Sequence, residues 1–370
     1  MEEGSGRKEA FASGKIEIVS TSGTSEDRVS IVWDQAWWDR SEREAARLNS
    51  VLDGIFRDPH REAVLTTPLC AGNLCHVGEV SMEDRTVGNL LFLNQSPNPT
   101  SWNGRTVRRI AEELGRFRPR ILEADPAYLS ILSRQMTLAG IVPFQPACIV
   151  LTYEFPSRLH YRWILRAFPG VPVVSSYGST EAGHVFTQCE AGTFHQNTAT
   201  SIVEVQPLRP GRGDPEVGRL LVGTLDNPWF TLLRFDVGDL VRLRRGPPCP
   251  CGRTGGLDVA AVEGRVRDLT FDQEGFAVPL GRLDGALEAV DGLVSYAVEQ
   301  PEPLLLRAGF VSEPGREKEA ASGLEEALHG VYGGGVRVEL RREAAIPPEP
   351  SGKFRLARAS FPWSAEELFQ

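Results

Sequence analysis

The chain has 370 residues, of which 41% are hydrophobic and 24% charged, the balance of an ordinary globular protein with room for two domains. Its formal net charge of -9 and pI of about 5.4 argue against a nucleic-acid surface, because phosphate-backbone binding needs clustered basic side chains. The first residues lack the apolar core of a signal peptide, and the longest uncharged run, 135–153, contains two prolines. We therefore expect a cytoplasmic protein that binds neither nucleic acid nor membrane.

The first two thirds of the chain alternate between strands and helices. The helices predicted from apolar spacing are 34–55, 105–117, 127–139 and 157–168. The short apolar strands predicted around them are 15–19, 29–33, 120–124, 147–152 and 171–176. Repeated strand–helix–strand units indicate a largely parallel, right-handed α/β sheet.

From residue 216 the sequence becomes β-rich, with alternating strands predicted at 217–225 and 232–243. The remainder predicts strands at 295–299, 304–310 and 336–340 and helices at 282–290 and 318–331. We therefore predict the α/β fold class. It comprises a large N-terminal domain, 1–264, of mixed and parallel sheets with a β-rich lobe, and a small α+β C-terminal domain, 269–370.

A polar loop joins the first two strands, with the sequence Ser20-Thr21-Ser22-Gly23-Thr24. Its hydroxyls can donate hydrogen bonds to phosphate oxygens, and the glycine lets backbone N–H groups come close. The chain has neither the G-x-x-x-x-G-K-[ST] run of P-loop NTPases nor the G-x-S-x-G elbow of serine hydrolases. Taken alone, the loop also fits a solvated hairpin tip.

A second polar segment, Tyr177-Gly178-Ser179-Thr180-Glu181, follows a predicted buried strand, where α/β proteins place ligand loops. Magnesium prefers one or two carboxylates together with substrate phosphates, and an aromatic face can stack on a base. An exposed turn is the alternative interpretation of this segment.

Lysine is rare in this chain, which has 40 basic residues but lysine only at positions 8, 15, 318 and 353. Surface cations are therefore arginines as a rule. Lys353 lies in the loop Pro350-Ser351-Gly352-Lys353, where its compact ammonium offers what arginine does not. A solvent-exposed lysine in a surface loop is the alternative.

These segments, together with Asp239 in 234–240 and Arg265 in 264–268, resemble the motifs of the adenylate-forming acyl ligases, closest to phenylacetate-CoA ligase-like enzymes. The resemblance runs in the right order from Ser20 to Lys353. Relatives carry roughly a domain fragment before the phosphate loop, so the N-terminal domain is expected to be shortened. The chain departs from the pattern where Arg267 occupies the hinge position.

The resemblance implies a role for each matching residue. Thr180 would contact the phosphates, Glu181 would hold Mg²⁺, and Tyr177 would lie against the adenine. Asp239 would accept hydrogen bonds from the ribose hydroxyls, and Arg265 would also contact the nucleotide. Ser20, Thr21, Ser22, Gly23, Thr24, Gly178 and Ser179 would complete the ATP and AMP site.

The resemblance also implies motion. The small domain would rotate about a hinge at 265–268, with Arg267 absorbing the backbone change. Lys353 would bridge the carboxylate and the α-phosphate during adenylation and then swing away for the second half-reaction.

A third constellation comprises Cys189, His195, Cys249 and Cys251. Three thiolates and an imidazole are a Cys₃His set suited to tetrahedral zinc, and the Cys-Pro-Cys-Gly turn resembles a zinc knuckle. With six cysteines in all, a disulfide framework is excluded, and free thiols in a β-rich lobe are the alternative to structural zinc.

The predicted activity is a two-step ligation. ATP and a carboxylic acid, aromatic by family resemblance, would give an acyl-AMP and pyrophosphate, and the thiol of CoA would capture the acyl group. Two alternatives remain: transfer to a carrier-protein thiol or an amine, and a non-catalytic nucleotide-binding regulator. A homodimer is left open.

Overall fold

The computed structural model describes residues 5–20, 29–68 and 77–369. Within these residues the α-helices are α1 Ser5–Ala12, α2 Gln35–Ala46, α3 Ser50–Phe56, α4 Gly104–Phe117, α5 Pro126–Leu138, α6 Arg158–Ala167, α7 Leu280–Leu287 and α8 Glu317–Tyr332. The strands of the first half are β1 Ile16–Ser20, β2 Ser30–Asp34, β3 Glu62–Leu65, β4 Thr86–Val87, β5 Leu90–Phe92, β6 Ile121–Ala124, β7 Cys148–Leu151, β8 Val173–Ser179, β9 Gly183–Gln188 and β10 Phe194–Gln196. Those of the second half are β11 Ser201–Pro207, β12 Val217–Thr224, β13 Phe235–Leu243, β14 Asp258–Arg265, β15 Thr270–Phe271, β16 Ala277–Val278, β17 Leu293–Glu302, β18 Leu305–Ser312, β19 Arg337–Arg342 and β20 Ala357–Ala359.

Twelve of the described strands form one large sheet, in the order β11-β12-β13-β14-β10-β9-β8-β7-β6-β3-β5-β4. Strands β8, β7, β6, β3 and β5 run parallel, as the strand–helix pattern predicts. From β8 towards β11 every pair is antiparallel, because β9 follows β8 after a tight turn too short for a crossover helix. The α/β class is confirmed, with the mixed and parallel strand pairing predicted for the large domain.

The helix predicted at 34–55 is in fact two helices, so that prediction is wrong in its length. Asp34 caps α2, and its carboxylate accepts the Ala36 N–H at 2.9 Å. The second helix begins because the Asn49 side chain accepts the Val51 N–H at 3.0 Å and the Leu52 N–H at 3.3 Å. Asn49 caps the start of a new helix at a point where neither glycine nor proline marks a break. The apolar spacing alone therefore reads as one continuous helix.

The last part of the chain builds a separate four-stranded sheet in the order β19-β18-β17-β20, with its own apolar core against α7 and α8. This small α+β lobe rests on α6, whose Leu159 lies in the core of the lobe. The Asp284 carboxylate accepts hydrogen bonds from the Ser157 hydroxyl and, at 2.9 Å, from the Arg158 N–H. A residue of the small lobe therefore helps to cap a helix of the large one. In the part of the chain described, none of the helices has the length and apolar character that crossing a membrane requires.

Three carboxylates converge where α2 covers the large sheet. Oxygens of Glu42, Glu62 and Glu123 lie within 4.8 Å of one another. The Tyr153 hydroxyl donates to Glu123, and a His60 ring nitrogen lies 2.6 Å from Glu62. Burial, with help from the neighbouring carboxylates, raises the pKa of Glu42 to about 8, and burial raises the pKa of Glu123 to about 7. The cluster therefore holds protons at neutral pH.

From the protonated state of this cluster we predict that the free energy of unfolding falls as the pH rises. Folding raises the pKa of the Glu42 carboxyl from about 4.5 in the unfolded chain to about 8. Its contribution to stability is therefore fully present below pH 4.5 and is lost as the pH rises through 8. We expect Glu42→Gln to raise the melting temperature at pH 9 by roughly 2 °C or more and to change it little at pH 5. Calorimetry across this range provides the measurement, with the exposed Glu325→Gln of α8 as the control. An equal shift at both pH values would contradict the prediction.

Candidate functional site

A cleft of about 660 Å³ lies between the large sheet and the small lobe. Its walls include the segment 152–156 after β7, Tyr177 of β8 and Asp239 of β13. The small lobe and its junction contribute Arg265 and Lys353. The same cleft is therefore lined by four residues that lie far apart in the sequence, Tyr177, Asp239, Arg265 and Lys353.

Asp239 is the centre of the first group in this cleft. The Tyr177 hydroxyl donates to one oxygen of its carboxylate at 2.8 Å, and the Arg265 Nε lies 3.4 Å from the other. Burial raises the pKa of Asp239, and the Arg265 guanidinium opposes that rise. Burial and the adjoining carboxylate also raise the pKa of Tyr177 well above its ordinary value, so the phenol stays protonated and donates.

The turn after β8 carries the rest of the second motif. Gly178 has no room for a side chain, because a Cβ there would stand 2.4 Å from the Gly183 carbonyl oxygen. The Ser179 hydroxyl accepts the Ala182 N–H at 3.1 Å and closes the turn. Thr180 and Glu181 are partly exposed on it, and the charge of Glu181 acts on both Tyr177 and Asp239.

The predicted phosphate loop lies mostly outside the described residues. The backbone of Ser20 ends β1 and pairs with Ser30 of β2, so the hairpin on either side of the loop is present. Thr21, Ser22, Gly23 and Thr24 fall in the part that the structure does not describe. Their phosphate-binding role stays a prediction.

Lys353 lies in a loop that is docked on the large lobe. The Tyr128 hydroxyl donates to the Gly352 carbonyl oxygen at 2.9 Å. On the other side of the lysine, the Phe354 N–H donates to both oxygens of Glu154, at 3.0 and 3.1 Å. Lys353 thus lines the cleft, and hydrogen bonds hold the backbone of the residues directly before and after it.

Two buried acids beside Lys353 were missed by the sequence analysis. Burial raises the pKa of Asp125 to about 7, and the Lys353 ammonium opposes that rise. Burial and the Asp125 charge raise the pKa of Glu154 well above its usual range, again with Lys353 opposing. Glu154 follows the carboxyl end of β7, a position where α/β proteins place ligand loops, so its location could have singled it out. No local signal points to Tyr128.

The residue predicted to be the hinge, Arg267, lies in a short 3₁₀ turn, Val266–Asp268, directly after β14. Its Nε is 4.0 Å from an Asp268 carboxylate oxygen. The turn joins the large sheet to β15, since β14 precedes it and β15 follows it.

The predicted metal ligands come together in the β-rich lobe. The donor atoms of Cys189, His195, Cys249 and Cys251 lie within 4.8 Å of one another. The Cys189 and Cys249 sulfurs are 3.7 Å apart, and the Cys251 sulfur is 3.2 Å from the His195 Nε2. Two sulfurs bonded to one tetrahedral zinc ion stand about 3.8 Å apart, so the spacing fits. The other ring nitrogen of His195 lies 2.7 Å from an Asp258 oxygen, the arrangement that orients a zinc-bound histidine.

Neither a protein-family model nor a curated protein matches the sequence. Solved structures do match. A 2-hydroxyisobutyryl-CoA ligase in the postadenylation state matches with a TM-score of 0.67 at 16% identity, over 95% of this chain and 77% of that chain. The same ligase in the thioesterification state matches with a TM-score of 0.50 at 17% identity, over 95% and 78%.

Two further enzymes share the fold. An anthranilate CoA ligase in complex with anthranoyl-AMP matches with a TM-score of 0.59 at 12% identity, over 92% of this chain and 65% of that chain. An amide bond synthetase from Marinactinospora thermotolerans matches with a TM-score of 0.59 at 16% identity, over 92% and 67%. The chain therefore spans between 65% and 78% of the length of these enzymes.

Proposed function

Because this chain has the fold of the adenylate-forming acyl ligases, as the motifs predicted, we propose that it activates a carboxylic acid with ATP. The products of this step are an acyl-AMP and pyrophosphate. The observation that carries the proposal is the meeting of Tyr177, Asp239, Arg265 and Lys353 at one cleft between the two lobes. Each of these residues matches a nucleotide or catalytic position of the family.

Catalysis in this scheme is electrostatic. Negative charge develops on the α-phosphate as the acid attacks, and a preorganised cation in a cleft shielded from water stabilises it. Lys353 supplies that cation from the docked loop, and Thr180 contacts the phosphates. Asp239 accepts hydrogen bonds from the ribose hydroxyls, and Arg265 and Tyr177 hold its carboxylate in place. Glu181 would hold Mg²⁺, which neutralises phosphate charge when it is bound.

The arrangement of the lobes supports the first half-reaction. The chain superposes better on the 2-hydroxyisobutyryl-CoA ligase after adenylation than on the same enzyme during thioesterification. We place the domain boundary at 264–265 and propose that residues 269–370 rotate about 265–268 between the two steps, with Arg267 as the hinge. The acceptor that follows is the CoA thiol, and the acid is aromatic.

The fold also admits a second acceptor. An amide bond synthetase shares it to the same degree as the anthranilate CoA ligase, so an amine is the alternative acceptor. Activation of the acid is common to both schemes, and only the second step separates them.

The first test is acid-dependent exchange of labelled pyrophosphate into ATP, surveyed over aryl, arylacetic and short aliphatic acids. Exchange reports the reversible first half-reaction, so it needs no knowledge of the acceptor. We expect it to collapse in Glu181→Ala and to weaken in Asp239→Ala through nucleotide affinity, while the exposed Glu319→Ala stays at the wild-type rate. Absence of exchange with every acid, despite ATP binding by calorimetry, would favour a regulatory nucleotide-binding protein.

Lys353→Ala is expected to lower the exchange rate on the order of 100-fold or more while leaving ATP affinity nearly unchanged. A contact made mainly in the transition state changes kcat rather than binding. Acyl transfer from a pre-made acyl-AMP should be largely spared, since Lys353 is assigned to one half-reaction. The exposed Lys318→Ala is the matched control. Wild-type exchange in Lys353→Ala would show that the role carried over from the family is wrong.

We also propose that Cys189, His195, Cys249 and Cys251 hold a structural zinc ion. The four donors fill a tetrahedral shell, so no position is left for chemistry at the metal. Because the ligands come from β10 and from the loops that precede β10 and β14, the ion would tie these two loops to a strand inside the sheet.

Purified protein is accordingly expected to contain about one zinc per chain by elemental analysis. Cys249→Ser and Cys189→Ser should lose the metal and lower the melting temperature, whereas Cys148→Ala, in the buried core elsewhere, should keep it. Zinc-free wild-type protein of full thermal stability would contradict the proposal.

A further inference from the structure

The loop that carries Lys353 is attached to the large lobe by contacts that no motif describes. We infer that Glu154 is a positioning residue that holds the Lys353 loop in the cleft by accepting the N–H of Phe354. The docking itself follows from the contacts. Its consequence for catalysis rests on the proposed function.

The geometry makes Glu154 the principal anchor on one side of the lysine. Both carboxylate oxygens accept the Phe354 N–H, at 3.0 and 3.1 Å. Phe354 directly follows Lys353, so this bond fixes the peptide unit that leaves the lysine. The Lys353 ammonium beside it favours the ionised form of Glu154, which is a stronger hydrogen-bond acceptor than the neutral acid.

The neighbouring acid cannot take over this role. The Asp125 carboxylate already accepts the Ala127 N–H at 2.9 Å and the Tyr128 N–H at 3.3 Å, which caps helix α5. Its position is therefore fixed by the helix. Glu154 lies on an irregular segment after β7, and the only backbone N–H that its carboxylate accepts within the described residues is that of Phe354.

The peptide that enters the lysine is held from the opposite direction. The Tyr128 hydroxyl shares its one proton between the Gly352 and Pro97 carbonyl oxygens, at 2.9 and 2.8 Å, and Gly352 has a φ of 84°. A Cβ on Gly352 would stand 2.2 Å from the Thr67 Oγ1, so the glycine is needed for this close approach. With both flanking peptides fixed, the Cα of Lys353 has a defined place at the cleft.

Hydrogen bonds suit a loop that, in the proposed reaction cycle, must also detach from the large lobe after adenylation. A few such bonds, each of modest net strength, hold the loop without the large apolar burial that would make its release slow. The Phe354 ring does pack against the apolar core of the large lobe, edge-on to Tyr128 at 6.0 Å between centroids, but it is only partly buried. Glu154 thus contributes polar, reversible attachment.

Proteolysis tests the docking without reference to activity. A lysine-specific endoproteinase can cut this chain only after residues 8, 15, 318 and 353. We expect Glu154→Ala to speed cleavage after Lys353 by roughly 10-fold or more, because the undocked loop fits a protease site. Cleavage after Lys318, in the first turn of α8, should be unchanged. Mass spectrometry of the released fragment 354–370 measures the rate.

Two further variants sharpen the result. Glu154→Gln keeps an acceptor oxygen and the side-chain volume, so we expect an intermediate rate. Glu339→Gln, an exposed carboxylate of β19, should behave as wild type. Equal acceleration after Lys318 and Lys353 in both Glu154 variants would indicate general destabilisation and overturn the inference, as would no acceleration in Glu154→Ala.

The catalytic consequence is measured separately. Glu154→Ala should lower pyrophosphate exchange roughly 10-fold or more, while transfer from a pre-made acyl-AMP stays within about twofold of wild type. An equal loss in both half-reactions would overturn the positioning role. If the wild type itself shows no exchange, the proposed function fails, and the proteolysis result still decides whether Glu154 docks the loop.

Discussion

The arrangement of the molecule depends on β8, the strand at which the large sheet changes from parallel to antiparallel pairing. On one side β8 runs alongside β7, and on the other it turns back into β9. The turn is so tight that Gly178 meets the backbone of Gly183. Because Tyr177 directly precedes this turn, it lies where the two halves of the sheet meet. Asp239 and Arg265 approach it from the antiparallel half, and the Lys353 loop, docked on the parallel half, lines the same cleft.

Two kinds of attachment hold the small lobe to the large one. The contact with α6 is extensive: it buries Leu159 in the small lobe and adds the Asp284 carboxylate to the cap of the helix. The Lys353 loop is held by the Tyr128 hydroxyl, which donates to Gly352, by Glu154, which accepts the Phe354 N–H, and by the Phe354 ring against the large-lobe core. Polar contacts of this kind exchange readily with water, whereas the apolar contacts between the lobes do not.

Buried acids recur throughout this chain and have different partners in each place. Asp239 is balanced by Arg265 and a phenol donor. Glu154 is balanced by a backbone N–H and the lysine ammonium. Within the described residues no arginine or lysine forms a salt bridge with the cluster around Glu42, so at neutral pH its negative charge is reduced by bound protons. Burial raises the pKa of each of these acids, and the cationic neighbours of Asp239 and Glu154 oppose that rise.

Periodicity predicted the fold class and most helices and strands, and motif order picked out residues that meet at one cleft, because both are patterns of neighbouring residues. The Cys₃His donors were also grouped from the sequence, since their chemistry is recognisable without geometry. The folded chain was needed to show that antiparallel pairing begins at β8, that a helix breaks at Asn49, and that Glu154 and Tyr128 anchor the lysine loop. Those outcomes depend on a turn too short for a crossover and on hydrogen bonds between segments far apart in the chain, for which one sequence carries no local signal.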